Sequence, residues 1–123
     1  DLSELSSILD RFAASEIEVL KMEKEASELI VKGNNGQSLS EGESFEVEKV
    51  FLAWNTLSFH GHYREVHLGG EARIRAREFA RILVRNPIYL RMWQEQDFYD
   101  DDPNAIEWFA TVNESIRSFQ EGR

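Results

Sequence analysis

Cysteine is absent from this chain of 123 residues, and its absence excludes several kinds of site at once. Without thiols there is no disulfide framework, no thiol nucleophile and no thiolate-bound metal. The sequence also lacks a run of about 18 apolar residues, which a membrane-spanning helix needs, and it shows no signal peptide. Because it begins at Asp1 and not at methionine, we expect an upstream segment outside this sequence.

Helix-breaking residues are scarce, since the chain has only two prolines and seven glycines. Glutamate, alanine, leucine and arginine, all good helix formers, are abundant. A hydrophobic content of 41% is enough for a folded core. The composition therefore predicts one all-α domain over residues 1–123. Because the connections are short, we expect an antiparallel up-and-down four-helix bundle with a short extra helix after Pro87.

Apolar residues at helical spacing, separated by capping and turn residues, set the expected helix boundaries. The predicted helices cover residues 2–32, about 40–67, about 71–85, about 88–98 and about 103–119. Ser40 and Glu43 form the pattern of a capping box at the start of the second helix. Trp54 lies at the centre of that helix's apolar stripe, which predicts that it is buried. The inner or near-inner residues expected in the last helix are Ile106, Phe109, Ala110, Val112, Asn113 and Ile116.

The histidines do not form a metal-binding pattern. Only His60, His62 and His67 are present, and no Glu-x-x-His motif of the kind found in di-metal bundles occurs. On a helix, His60 and His62 point about 200° apart, so they cannot share a metal ion. We therefore expect no metal ion, no cofactor and no catalytic residue.

Charge is distributed unevenly along the chain, which carries a net charge of -9. That total disfavours binding to nucleic acid or to anionic lipid headgroups. Six of the ten arginines lie within residues 71–95, where three glutamates oppose them and leave +3. Four of these arginines step by four residues along one stripe of the predicted third helix. They are Arg73, Arg77, Arg81 and Arg85.

This arginine row is open to three interpretations. It can be a solvated face with salt bridges to acids of the first helix or of residues 97–102, each worth about 0–1 kcal/mol. It can dock an acidic protein partner or a second copy of the chain, or it can bind an anionic small molecule. Arg75 projects differently, towards the apolar side. There it is expected either to extend its charged end to solvent or to pair with Glu16 or Glu23 in a polar core.

The predicted short helix carries Tyr89 and Trp93, with Phe98 and Tyr99 close by. These aromatics can form a packed cap on the bundle, the wall of a ligand pocket or an oligomer contact. In the third case we expect a homodimer with Tyr89 and Trp93 at its centre. Each copy's arginine-bearing surface would then face the acidic surface of the other copy.

The order of these features resembles a known family. The segment Leu39-Ser40-Glu41-Gly42-Glu43-Ser44-Phe45 precedes a long aromatic-bearing helix, and Asn86-Pro87 through Trp93 precedes the closing helix. Over about residues 14–116, this arrangement resembles the soluble part of an uncharacterised bacterial family with one N-terminal membrane helix. The resemblance implies an inner-membrane anchor upstream, the alternative being a cytoplasmic protein. It implies no catalytic residues.

Together these features favour a non-enzymatic interaction or sensory domain. The alternative is a small-molecule-binding domain or an enzyme with an arginine-lined pocket between helices. The two differ in where the arginines should lie, on an exposed surface or around an interior pocket.

Overall fold

The computed structural model describes residues 15–68, 72–96 and 102–122, and the side chains of residues 60–68, 72, 73 and 104 lie outside that description. Every regular element of the described chain is a helix, which confirms the all-α prediction. Helix α1 covers residues 15–25. The others are α2 (Ser27–Asn34), α3 (Glu41–Leu68), α4 (Ala72–Arg85), α5 (Pro87–Gln94) and α6 (Pro103–Gln120).

The predicted first helix is interrupted at Ala26. Hydrogen bonds from Ala26 N to the Met22 carbonyl and from Ile30 N to the Ala26 carbonyl cross this site, so the chain path stays nearly helical. Residues 2–14 of that prediction lie outside the described residues. The helix then ends at Asn34, and Gly36 takes a positive φ of 78° in the turn that follows, a conformation that glycine adopts without strain.

The capping box at the start of α3 is confirmed atom by atom. The Ser40 backbone N–H donates to the Glu43 carboxylate at 2.9 Å, and the Glu43 N–H donates to Ser40 Oγ at 3.2 Å. These bonds engage amide donors that the first turn of a helix leaves without partners. They lower the pKa of Glu43, together with the ammonium of Lys32, which lies 3.2 Å away.

The core forms where α3, α4, α5 and α6 meet, with Phe79 of α4 at its centre. The Phe79 ring lies 5.6 Å from Trp93, 5.8 Å from Trp108 and 6.4 Å from Phe51, measured between centroids. Such aromatic pairs add about 0.5–1.5 kcal/mol each beyond the area they bury. Trp54 is buried as predicted, although its indole N–H finds no acceptor in the described residues.

Helix α6 is rotated relative to the prediction. Ile106 is 49% exposed and Ala110 is also exposed, whereas Ala105 and Trp108 point inward. Trp108 fixes this orientation because its ring stacks on Phe79 and its Nε1 donates to Asn55 Oδ1 at 3.2 Å. The prediction that Ile106 and Ala110 face inward is therefore wrong, while Val112 and Ile116 are buried as expected.

Helix α5 begins with Pro87 in its first turn, as expected, but it ends at Gln94 and not near residue 98. The N–H of Glu95 bonds to the Arg91 carbonyl, and that of Gln96 bonds to the Trp93 carbonyl, which closes the final turn. Gly33 of α2 lies directly against Ile88 of α5, in a space that a Cβ atom would fill. This close approach brings α2 and α5 together.

Candidate functional site

The arginine row lies on the outward side of α4. Ala76, Phe79, Ala80 and Leu83 give this helix a fully buried side. Arg77, Arg81 and Arg85 fall outside that side and are exposed. Because residues four apart on a helix are surface neighbours, these side chains form one strip with a rise of about 6 Å per step. The side chain of Arg73 lies outside the described residues.

Phe119 of α6 contacts two members of the row. The Arg77 guanidinium carbon lies 4.6 Å from the Phe119 ring centroid, and that of Arg81 lies 5.1 Å away. The negative face of an aromatic ring attracts such cations, and at exposed sites the contact is worth about 0.5–1 kcal/mol. The ring accepts no conventional hydrogen bond, so the N–H donors of both guanidinium groups remain available to an oxyanion.

No ion pair joins Arg77, Arg81 or Arg85 to a carboxylate of the described residues. The ion pairs found there are elsewhere: Lys32–Glu43, Lys49–Glu46, Arg75–Glu78 and Arg91–Glu95. Salt bridges from this row to the first-helix acids, which one interpretation included, are therefore not formed within residues 15–32. Of the 97–102 acids, those before Asp102 lie outside the described residues. The three described arginines thus carry +3 on one exposed strip.

Tyr89 and Trp93 are not surface residues, which corrects their assignment as candidate interaction residues. They are 0% and 2% exposed. Trp93 packs on Phe79 and Phe109, and its Nε1 donates to Asn113 Oδ1 at 2.8 Å. The short helix that carries them packs against α2, α3 and α4, and both rings point from it into the core. They correspond to the packed-cap interpretation and cannot form the centre of an exposed contact.

The three residues predicted to form a polar core lie at different sites in the structure. Glu16 is exposed, because it lies on the outer side of α1 and the apolar stripe faces away from it. Arg75 is partly exposed and donates to Glu78, one turn along its own helix, at 3.4 Å. Glu23 alone reaches the edge of the interior, where it accepts a hydrogen bond from Tyr89 Oη at 3.3 Å. Burial, reinforced by the Glu23 charge and hydrogen bond, raises the pKa of Tyr89.

A polar junction between α2 and α5 was not predicted from the sequence. Asn34 Nδ2 donates to Asn86 Oδ1 at 3.1 Å, and Asn34 Oδ1 accepts from the Ile88 backbone N–H at 3.1 Å. Asn86 Nδ2 donates in turn to the Ile82 carbonyl at 2.9 Å. A side chain from α2 thus caps the first turn of α5, while Asn86, at the usual capping position, makes no such bond itself. Asn34 and Asn86 each mark a helix end in the sequence, but nothing there indicates that they pair.

Among the described residues, no group of three or more histidine, cysteine, aspartate or glutamate side chains is placed to hold a metal ion. No helix in those parts of the chain is both long enough and apolar enough to cross a membrane. The histidine side chains all lie outside the described residues.

Comparison with protein families, with characterised proteins and with solved structures finds no significant match to this chain.

Proposed function

We propose that this protein is a non-enzymatic interaction domain that binds an acidic protein segment through Arg77, Arg81 and Arg85. The observation that carries the proposal is the absence of ion pairs between these arginines and the described carboxylates, in a chain with 23 acidic residues. A strip of +3 against a net charge of -9 is maintained at the cost of repulsion between neighbouring cations. An acidic partner would relieve that repulsion.

The chemistry of the strip favours carboxylates as ligands. Each guanidinium presents a planar set of N–H donors that matches a carboxylate in a two-bond arrangement. Phe119 holds Arg77 and Arg81 over a common ring, which reduces the conformational freedom that binding would otherwise remove. Their exposure favours a partner that lies on the surface over a small molecule enclosed between helices.

We also propose that the helices are arranged as an antiparallel up-and-down bundle. In an antiparallel up-and-down bundle, α1–α2, α3, α4 and α6 form the four main helices, and α5 is the extra one. Direct contacts of α4 with both α3 and α6 support this arrangement, as does the short connection over residues 35–40. Distances between spin labels at the two ends of α3, α4 and α6 would test it. Distances showing that α3 and α4, or α4 and α6, run in the same direction would contradict the antiparallel arrangement.

A labelled helical peptide with glutamate at every fourth position tests the binding proposal, because its acids repeat at the spacing of the arginines. In a fluorescence anisotropy titration at low salt, we expect the peptide to bind and its affinity to fall as salt is added. Arg77→Glu/Arg81→Glu should weaken binding at least tenfold, about 1.4 kcal/mol.

Two controls make the test specific. Lys49→Glu/Arg91→Glu changes the net charge equally on other helices and should keep the affinity within about twofold. A peptide with lysine in place of glutamate should not bind. Equal losses in the two double variants, or no binding by the unmodified protein, would overturn the proposal.

A further inference from the structure

Three acidic residues of α1 and α2 form a second surface with unpaired charge. Glu18, Glu25 and Glu28 lie towards one exposed side of these helices, and none forms an ion pair with a described residue. Lys21 and Lys24 lie among them and leave the surface at -1. It is therefore opposite in sign to the arginine row of α4.

Large apolar side chains accompany the charges on both surfaces. On α1 and α2, Ile17 is 67% exposed, Val31 57% and Leu20 49%. Next to the arginine row, Ile74 of α4 is 48% exposed. Burial of apolar area supplies most of the affinity of a protein contact, and charge complementarity sets its orientation and association rate. Each surface thus offers both components, with charges of opposite sign.

The other exposed acidic surfaces are less suited to the arginine row. On α3, the exposed carboxylates Glu41 and Glu48 accompany two large exposed apolar residues, Phe45 at 57% and Leu52 at 43%. Glu46 is paired with Lys49, whose ammonium lies 5.3 Å from the Phe45 ring centroid. On α6, the exposed carboxylates Glu107 and Glu114 accompany one large exposed apolar residue, Ile106. The surface of α1 and α2 has both more unpaired carboxylates and more exposed apolar residues.

We infer that the partner of the arginine row is a second copy of this chain, which presents the acidic surface of its α1 and α2. This inference rests on the proposed function and names the partner. A two-fold dimer makes the contact twice, since each copy contributes its α4 row to one half and its α1–α2 surface to the other. It differs from the dimer expected from the sequence because Tyr89 and Trp93 take no part in it.

Sedimentation equilibrium of the full chain at micromolar concentration tests the inference. We expect a mass of two chains at low salt that falls towards one chain as salt is raised. Arg77→Glu/Arg81→Glu should be monomeric, and so should Glu18→Lys/Glu25→Lys. The matched control Glu107→Lys/Glu114→Lys has the same charge change as the second variant and should remain dimeric.

Mixing the two monomeric variants is the decisive step. In a mixed pair, the α4 row of the first variant, now acidic, faces the α1–α2 surface of the second variant, now basic. In the other half of the contact, the native α4 row of the second variant faces the native α1–α2 surface of the first. Both halves of the contact are then complementary, so a one-to-one mixture should regain the mass of a dimer. Failure to regain it, or dissociation of the α6 control, would overturn the inference, as would a native chain that stays monomeric at all concentrations.

The outcome separates this inference from the proposed function. The Glu18→Lys/Glu25→Lys variant keeps the arginine row and should bind the acidic peptide at least as tightly as the native chain does. If the chain is monomeric but the peptide still binds through Arg77 and Arg81, the partner is a different molecule and the proposed function stands. If neither association depends on these arginines, both proposals fail.

Discussion

Polar side chains are hydrogen-bonded within the fold at the junction between α2 and α5, whereas those of the arginine row of α4 form no ion pair with a described residue. At the junction, the amides of Asn34 and Asn86 bond to each other and to two backbone groups. On the row, Arg77, Arg81 and Arg85 contact no described carboxylate, although the chain is rich in them. Polar groups in the first region hold two helices in place. Those in the second form no ion pair with a described residue, and this is why we propose that they serve binding.

The largest expected effect lies on the structural side of this comparison. Trp93→Ala should lower the free energy of unfolding by about 3–5 kcal/mol, because it removes a buried ring packed between Phe79 and Phe109. Urea unfolding followed by circular dichroism measures it. A loss below about 1 kcal/mol would show that Trp93 is not in the core, and Trp93 would again be a candidate surface contact.

The polar junction gives the next effect in size. Asn34→Ala should cost about 1–2 kcal/mol, because it removes the cap on the Ile88 N–H and leaves Asn86 Oδ1 without its donor. Asn35→Ala, at the exposed neighbouring position, is the matched control and should stay within about 0.5 kcal/mol. Equal losses in the two variants would indicate that the junction bonds do not stabilise the fold.

The stability that the buried Tyr89 contributes should depend on pH. Its pKa is raised in the folded protein, so the neutral phenol is favoured there and the associated stability is present below the unfolded pKa of about 10. That stability is lost as pH rises above about 10, where the unfolded chain ionises first. Tyr89→Phe should cost about 0.5–1.5 kcal/mol at neutral pH. Its deficit relative to the native chain should shrink above pH 10 in urea unfolding, and a constant deficit would contradict the burial of Tyr89.

Much of the fold could be predicted from local signals in the sequence. The capping box at Ser40 and Glu43, the turn at Gly36 and the proline at the start of α5 depend on a few adjacent residues. The buried sides of α3 and α4 follow from apolar periodicity, and helical spacing places Arg77, Arg81 and Arg85 on one stripe of α4. These features arise from backbone geometry and helical spacing, which the sequence expresses directly.

The remaining features depend on tertiary contacts between distant residues. Helix α6 has apolar residues on more than one side, and the stacking of Trp108 on Phe79 selects which side faces inward. The sequence left open whether Tyr89 and Trp93 form a packed cap, a pocket wall or an oligomer contact, and their burial depends on the contacts of α5 with α2, α3 and α4. Asn34 and Asn86 are 52 positions apart, so their hydrogen bond has no local signature.

The arginine row should have the smallest effect on stability. In Arg77→Ala/Arg81→Ala, the lost contacts with Phe119 are offset by relief of repulsion along the row. We therefore expect the free energy of unfolding to change by less than about 1 kcal/mol. The same substitutions should weaken acidic-peptide binding, because they remove two of the three exposed cations.

Measuring both quantities on this one variant tests the central claim that the row serves binding and not folding. We expect a free energy of unfolding within about 1 kcal/mol of that of the native chain, together with a loss of at least tenfold in affinity for the glutamate peptide. A variant that loses more than about 1 kcal/mol of stability while binding the peptide as the native chain does would contradict it.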